Sequence, residues 1–105
     1  MLETLLYPKA ITVIGASRNP DKVGYAVLAN LVNNRFPGPI VPINLEGGEI
    51  LGRKCYKSLD EYKEPIDLSI IMVGGKYVKD ALHSSINAGA KSVIVITAGF
   101  REVSA

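Results

Sequence analysis

A single cysteine, Cys55, stands in this chain of 105 residues. With no partner for an internal disulfide, nothing points to a cross-linked secreted scaffold. There is one histidine, His83, and no set of metal-ligating residues surrounds it. Strong charge imbalance is also missing: twelve Lys and Arg against ten Asp and Glu leave +2. That is too mild to argue for nucleic acid on charge alone. The longest strongly apolar run, residues 93–100, falls far short of the roughly 18 residues of a membrane helix. No basic segment precedes an apolar one at the N-terminus, where Glu3 interrupts, so no signal peptide is expected. These absences predict one cytoplasmic domain with neither a nucleic-acid nor a membrane partner. What is present fits a folded chain, with 48% hydrophobic and 21% charged residues.

Four segments read as strands: residues 10–14, 39–43, 68–73 and 92–97. Each is a near-continuous apolar run rather than an alternation. Such runs suit strands buried on both faces, as in a parallel sheet covered by helices. Pro42 cannot donate to a ladder, which places the second strand at or near an edge. Between the strands, residues 23–33 put Val23, Val27, Leu28, Leu31 and Val32 on one helical face. Residues 77–88 do the same with Val78, Ala81, Leu82, Ser85 and Ile86, and Gly89 stands where a helix ends. Ser58 and Glu61 have capping-box spacing, which predicts a short helix there. Residues 2–6 are read as one helical turn stopped by Pro8. Strands alternating with helices predict an α/β fold, a Rossmann-like doubly wound parallel sheet of four to five strands. Its expected order is second, first, third, fourth.

Such sheets bind ligands beyond the carboxyl ends of their strands. The first strand runs into Gly15-Ala16-Ser17-Arg18, then Lys22-Val23-Gly24 opens a helix. Small residues let the backbone approach an anion, the helix N-terminus attracts it, and Arg18 and Lys22 add charge. Phosphate binding is the expected use. The dinucleotide fingerprint is absent, because Ser17 stands where its second glycine belongs. Asn44 ends the second strand where an acid would hold a ribose, and Glu46 lies past that point. Gly74-Gly75-Lys76 follows the third strand, where Lys76 is either a phosphate contact or a solvated first-turn residue. Phe100 reads as packing, Cys55 as a plain cysteine, and the basic run at 53–57 as a solvated edge.

Taken together, Tyr7-Pro8-Lys9-Ala10-Ile11-Thr12-Val13-Ile14-Gly15-Ala16-Ser17 resembles the opening of the CoA-binding domain in NDP-forming acyl-CoA synthetases. That family includes the ADP-forming acetyl-CoA synthetases and, more distantly, the succinyl-CoA synthetase alpha subunit. Lys22-Val23-Gly24-Tyr25, Glu49-Ile50-Leu51-Gly52, Lys54-Cys55-Tyr56 and Ile94-Val95-Ile96-Thr97-Ala98-Gly99-Phe100 extend the likeness over nearly the whole chain. The resemblance implies coenzyme A as ligand. Gly15, Ala16, Ser17, Arg18, Lys22, Val23 and Gly24 would hold its phosphates. Asn44, Val73, Gly74, Thr97 and Ala98 would frame the remainder.

The family often carries Asn-Pro-Lys after the second strand, whereas this chain has Asn44-Leu45-Glu46, an acid in place of a cation. The family's phosphorylated histidine and its ATP/ADP and Mg²⁺ sites belong to other domains. The chain is therefore expected to be a CoA-binding domain, residues 1–105, truncated from a larger ligase, and inactive as a ligase by itself. Its expected partners are the remaining ligase domains or subunits. A second copy of the chain, covering an under-packed fourth strand, is the further possibility. The competing readings are a stand-alone CoA- or nucleotide-binding regulatory protein, and a dinucleotide oxidoreductase, which Ser17 and Asn44 disfavour.

Overall fold

The computed structural model describes residues 7–96. The turn expected at 2–6 lies outside them, as does everything from Thr97 onward. Four parallel strands form the central sheet: β1 (Ile11–Ile14), β2 (Ile40–Ile43), β5 (Leu68–Ile71) and β6 (Ser92–Val95). Their order is β2-β1-β5-β6, the order expected from the crossover rule. Helix α1 (Val23–Asn33) joins β1 to β2, and α2 (Gly75–Asn87) joins β5 to β6.

Alternate residues of the strands feed two separate cores. Ile11 and Val13 of β1 pack with Leu68 and Ile70 of β5 beneath Leu28 of α1. Ile14, Val41 and Ile71 pack on the other side with Ala81 of α2. Burial on both faces is why these strands read as unbroken apolar runs. The polar residues within them are satisfied locally. Thr12 Oγ1 donates to the Val41 carbonyl at 2.8 Å, and the Ser69 and Ser85 hydroxyls meet at 2.7 Å.

Helix α1 has the bounds its periodicity predicts. Helix α2 begins two residues ahead of Tyr77, because Gly75 enters its first turn, with Gly74 as the residue before it at the N-cap. Gly89, just past its end, has φ +94°, as a terminating glycine requires. Two expected core positions are overturned: Ile86 is 62% exposed and Val23, the first residue of α1, is 43% exposed. Each sits in a terminal turn, at the margin of the sheet that the middle of its helix covers. Strand β6 has little cover, with Ile94 and Val95 36% and 41% exposed.

The antiparallel hairpin of β3 (Gly48–Ile50) and β4 (Arg53–Cys55) was not foreseen in the pattern of the sequence. Its two-residue turn holds Leu51 and Gly52 at φ +50° and +78°, which matches the twist of the strands it joins. The run at 53–57 is thus no simple solvated edge. Its lysines face water, yet Ile50 and Cys55 are buried, and Tyr56 bridges to Ile43 alongside β2. The Tyr56 N–H donates to the Pro42 carbonyl at 3.0 Å. Pro42 thus turns its missing N–H away from β1, toward the outer edge, where a proline is tolerated. The helix expected after Ser58 is a single 3₁₀ turn, Leu59–Glu61. Ser58 Oγ caps the Asp60 N–H, while Glu61 reaches the Lys57 N–H at 3.2 Å, one residue before the usual partner.

Candidate functional site

The chain turns in opposite directions on the two sides of β1, which opens a crevice at the carboxyl ends of β1 and β5. A cavity of about 670 Å³ lies there. Gly15, Ala16 and Ser17 line it from the turn after β1, and Asn44, Leu45 and Glu46 from the end of β2. Val73 and Gly74 contribute from the end of β5. Two groups went unrecognised in the sequence. Lys57, Ser58 and Leu59 arrive from the exit of the hairpin, and Tyr77, Asp80 and Ser84 from one face of α2. The α2 set has i, i+3, i+7 spacing, a second stripe beside the core-facing one that drew attention.

The floor of the crevice is backbone laid on backbone. Gly15 has φ +100°, and a Cβ there would stand 2.1 Å from the Met72 carbonyl oxygen. A Cβ on Gly24 would stand 2.2 Å from the Gly15 oxygen. Both glycines therefore bring α1, β1 and β5 together, which is how Gly24 serves the site without lining the cavity.

The amides divide into two sets. Those of Gly15 and Ala16, expected to face an anion, both donate instead to the Ile43 carbonyl, at 2.9 and 3.1 Å. Among the described residues, those of Ser17, Arg18, Val23 and Gly24 have no intramolecular acceptor. Ser17 Oγ takes the Asn19 N–H at 3.0 Å and Asn19 Oδ1 takes the Asp21 N–H at 2.9 Å. These short loops carry the chain into α1, whose N-cap, Lys22, provides no side-chain cap. The N-terminus of α1 is left with donors for an anion.

Arg18 is differently placed from the free phosphate cation expected of it. Its Nε donates to the Glu49 carbonyl at 3.0 Å, its Nη2 to the Gly47 carbonyl, and its Nη1 meets Glu46 Oε1 at 3.2 Å. It ties the β1 turn to the β2–β3 loop. Asn44 does the same from the other side. Its Nδ2 donates to the Ala16 carbonyl at 3.3 Å while Oδ1 accepts the Glu46 and Gly47 N–H groups. The Lys76 ammonium lies 5.2 Å from the centre of the Tyr77 ring, and Lys76 does not line the cavity. His83 is exposed on α2. Thr97 and Ala98, expected at the end of the last strand, lie outside the described residues. No group of three His, Cys, Asp or Glu among the described residues is arranged to hold a metal ion. No helix among them is long and apolar enough to cross a membrane.

Burial pushes the Cys55 thiol above its ordinary 9.0, outweighing the backbone hydrogen bond at Asn44 and the Arg18 charge that pull it down. The native state therefore holds this proton more firmly than the unfolded chain. The thiol's contribution to stability is intact below pH 9.0 and is lost as pH climbs through the raised native value. The thiol should stay unlabelled by an aromatic disulfide reagent at pH 8, and react promptly once urea unfolds the chain. Equal labelling rates in both states would contradict this.

Comparison with known proteins shows the family. The CoA binding domain family matches residues 9–104. The alpha subunit of ADP-forming acetate–CoA ligase I from Pyrococcus furiosus is 42% identical over 97% of this chain and 23% of its own length. The ADP-forming acetate–CoA ligase of Methanocaldococcus jannaschii is 44% identical over 97% of this chain and 14% of its own. Among solved structures, the dinucleotide forming acetyl-coenzyme A synthetase 1 of Candidatus Korarchaeum cryptofilum, in complex with phosphate and ADP, superposes with a TM-score of 0.89. It is 39% identical and covers 98% of this chain and 22% of that one. The chain spans less than a quarter of the length of these relatives. With its switch-point crevice and its family match across residues 9–104, the chain belongs to the CoA-binding domain family, homologous to NDP-forming acyl-CoA synthetase subunits.

Proposed function

We propose that this domain binds coenzyme A across the carboxyl edge of its sheet, as the CoA-holding part of an acid–thiol ligase. The observation that carries the reading is the cavity lined by Gly15, Ala16 and Ser17, in the turn that leads into the N-terminus of α1, where the amides of Ser17, Arg18, Val23 and Gly24 have no intramolecular acceptor among the described residues. In this reading those amides and Lys22 take the pyrophosphate, with Gly15 and Ala16 as the floor beneath it. Asn44 and Arg18 hold the surrounding loops in place. Val73 and Gly74 border the pantetheine path. The domain's share of catalysis is to orient the thiol and neutralise its carrier. The acyl-phosphate chemistry, with ATP or ADP and Mg²⁺, belongs to other domains or subunits of the ligase.

Calorimetry with CoA, and with NAD as the control, tests this. CoA should bind, should bind more tightly than NAD, and should weaken as salt is raised, because its phosphates meet a positive helix end. Equal or tighter binding of NAD would overturn the assignment.

A further inference from the structure

The site lacks an obvious cation at the end of β2, where doubly wound sheets seat a ribose. Position 46 is an acid, and its carboxylate lies 3.2 Å from Arg18 Nη1. The other two Arg18 nitrogens are held by the Glu49 and Gly47 carbonyls. Arg18 and Glu46 thus offset each other, and neither adds net positive charge to this lip.

Lys57 is the one cation among the described residues that lines the cavity. It comes from the far end of the hairpin and reaches the same lip. Its stem lies along Gly47: a Cβ there would stand 3.2 Å from Lys57 Cγ and 3.4 Å from Cε. Gly47 has φ +69°, so a bare backbone position beside Glu46 makes room for the lysine. The Lys57 backbone is anchored on both sides. Its N–H is held by Glu61 Oε1 at 3.2 Å, and its neighbour Tyr56 is bridged to Ile43 of β2. The ammonium itself has no acceptor among the described residues. An anchored stem with a free point charge suits a phosphate monoester.

We propose that Lys57 recognises the 3′-phosphate on the ribose of the ligand, supplying from the hairpin the positive charge that position 46 does not. The proposal deepens the CoA reading and rests on it. The turn after β1 takes the pyrophosphate, so a phosphate on the ribose faces the β2 lip.

The experiment compares CoA with dephospho-CoA, which differs only by that phosphate, in the wild type, Lys57→Met and Lys57→Arg. The wild type should prefer CoA by about 10-fold, the low end for a charge-assisted contact at an exposed lip. Lys57→Met should bring the two ligands within about 2-fold, by weakening CoA and leaving dephospho-CoA unchanged. Lys57→Arg should keep the preference. A full preference surviving in Lys57→Met overturns the proposal. So does a wild type that binds both ligands equally, which leaves the CoA reading standing. A wild type that binds neither overturns both.

Discussion

Gly24→Ala should destabilise the domain by about 3 kcal/mol, the upper part of the range for inserting a methyl group into a filled interior. Gly24 is buried in the first turn of α1. The new Cβ would stand 2.2 Å from the Gly15 carbonyl oxygen, 3.2 Å from its carbon and 3.3 Å from the Ala16 Cα. All three are backbone atoms, so no side chain can rotate to relieve the overlap. Gly15 cannot retreat either, since it is itself pressed on the Met72 carbonyl. The helix must shift outward, which also opens the crevice. Alanine's better helix propensity returns at most about 1 kcal/mol. Gly75→Ala is the matching control. It lies at the start of α2 with nothing within 4 Å of its Cβ position, and should be neutral or stabilising by up to about 1 kcal/mol. Urea midpoints decide: the two variants unfolding together would show that the backbones at 15 and 24 can give way.

Ser17→Asp should weaken CoA binding about 100-fold, or about 2.7 kcal/mol, while leaving the fold intact. Ser17 lines the cavity, and its hydroxyl oxygen accepts the Asn19 N–H at 3.0 Å. An aspartate oxygen can accept the same bond from the same turn, so folding stability should change by less than about 1 kcal/mol. The carboxylate then brings a negative charge to the place proposed for a pyrophosphate. Like charges about 5 Å apart at a protein surface repel by roughly 3 kcal/mol. Ser17→Asn keeps the size and the acceptor without the charge, and should stay within a few-fold of the wild type. Calorimetry on the three proteins checks this. Undiminished binding to Ser17→Asp would move the pyrophosphate away from this turn.

The architecture was legible because its determinants are local. The apolar runs at β1, β2 and β5 mark strands buried on both faces, and the same pattern marks β6 as a strand although its Ile94 and Val95 are exposed. The stripe at residues 23–33 marks a helix by its period alone, and its predicted bounds are those of α1. Right-handed crossovers then leave few ways to order four parallel strands. Pro42 points to the edge because a proline lacks an N–H wherever it stands. The hairpin escaped notice because strands of three residues carry almost no periodicity. Its turn also seats Leu51, rather than Asn or Asp, in a left-handed conformation.

By itself, then, the sequence determined an α/β domain with a small-residue turn ahead of a helix, in the pattern of CoA-binding domains. Those features follow from side-chain size, periodicity and backbone freedom, which act over a few residues. Only the tertiary structure decided how the charges and amides of the site are spent. Arg18 is committed to acceptors 28 to 31 residues away, and the Gly15 and Ala16 amides to Ile43, across the parallel pairing of β1 with β2. Lys57 reaches the cavity because Tyr56 bridges to Ile43 and Gly47 leaves the path open. A hydrogen bond or ion pair depends on where two groups meet in space, and no local pattern records which distant group arrives first.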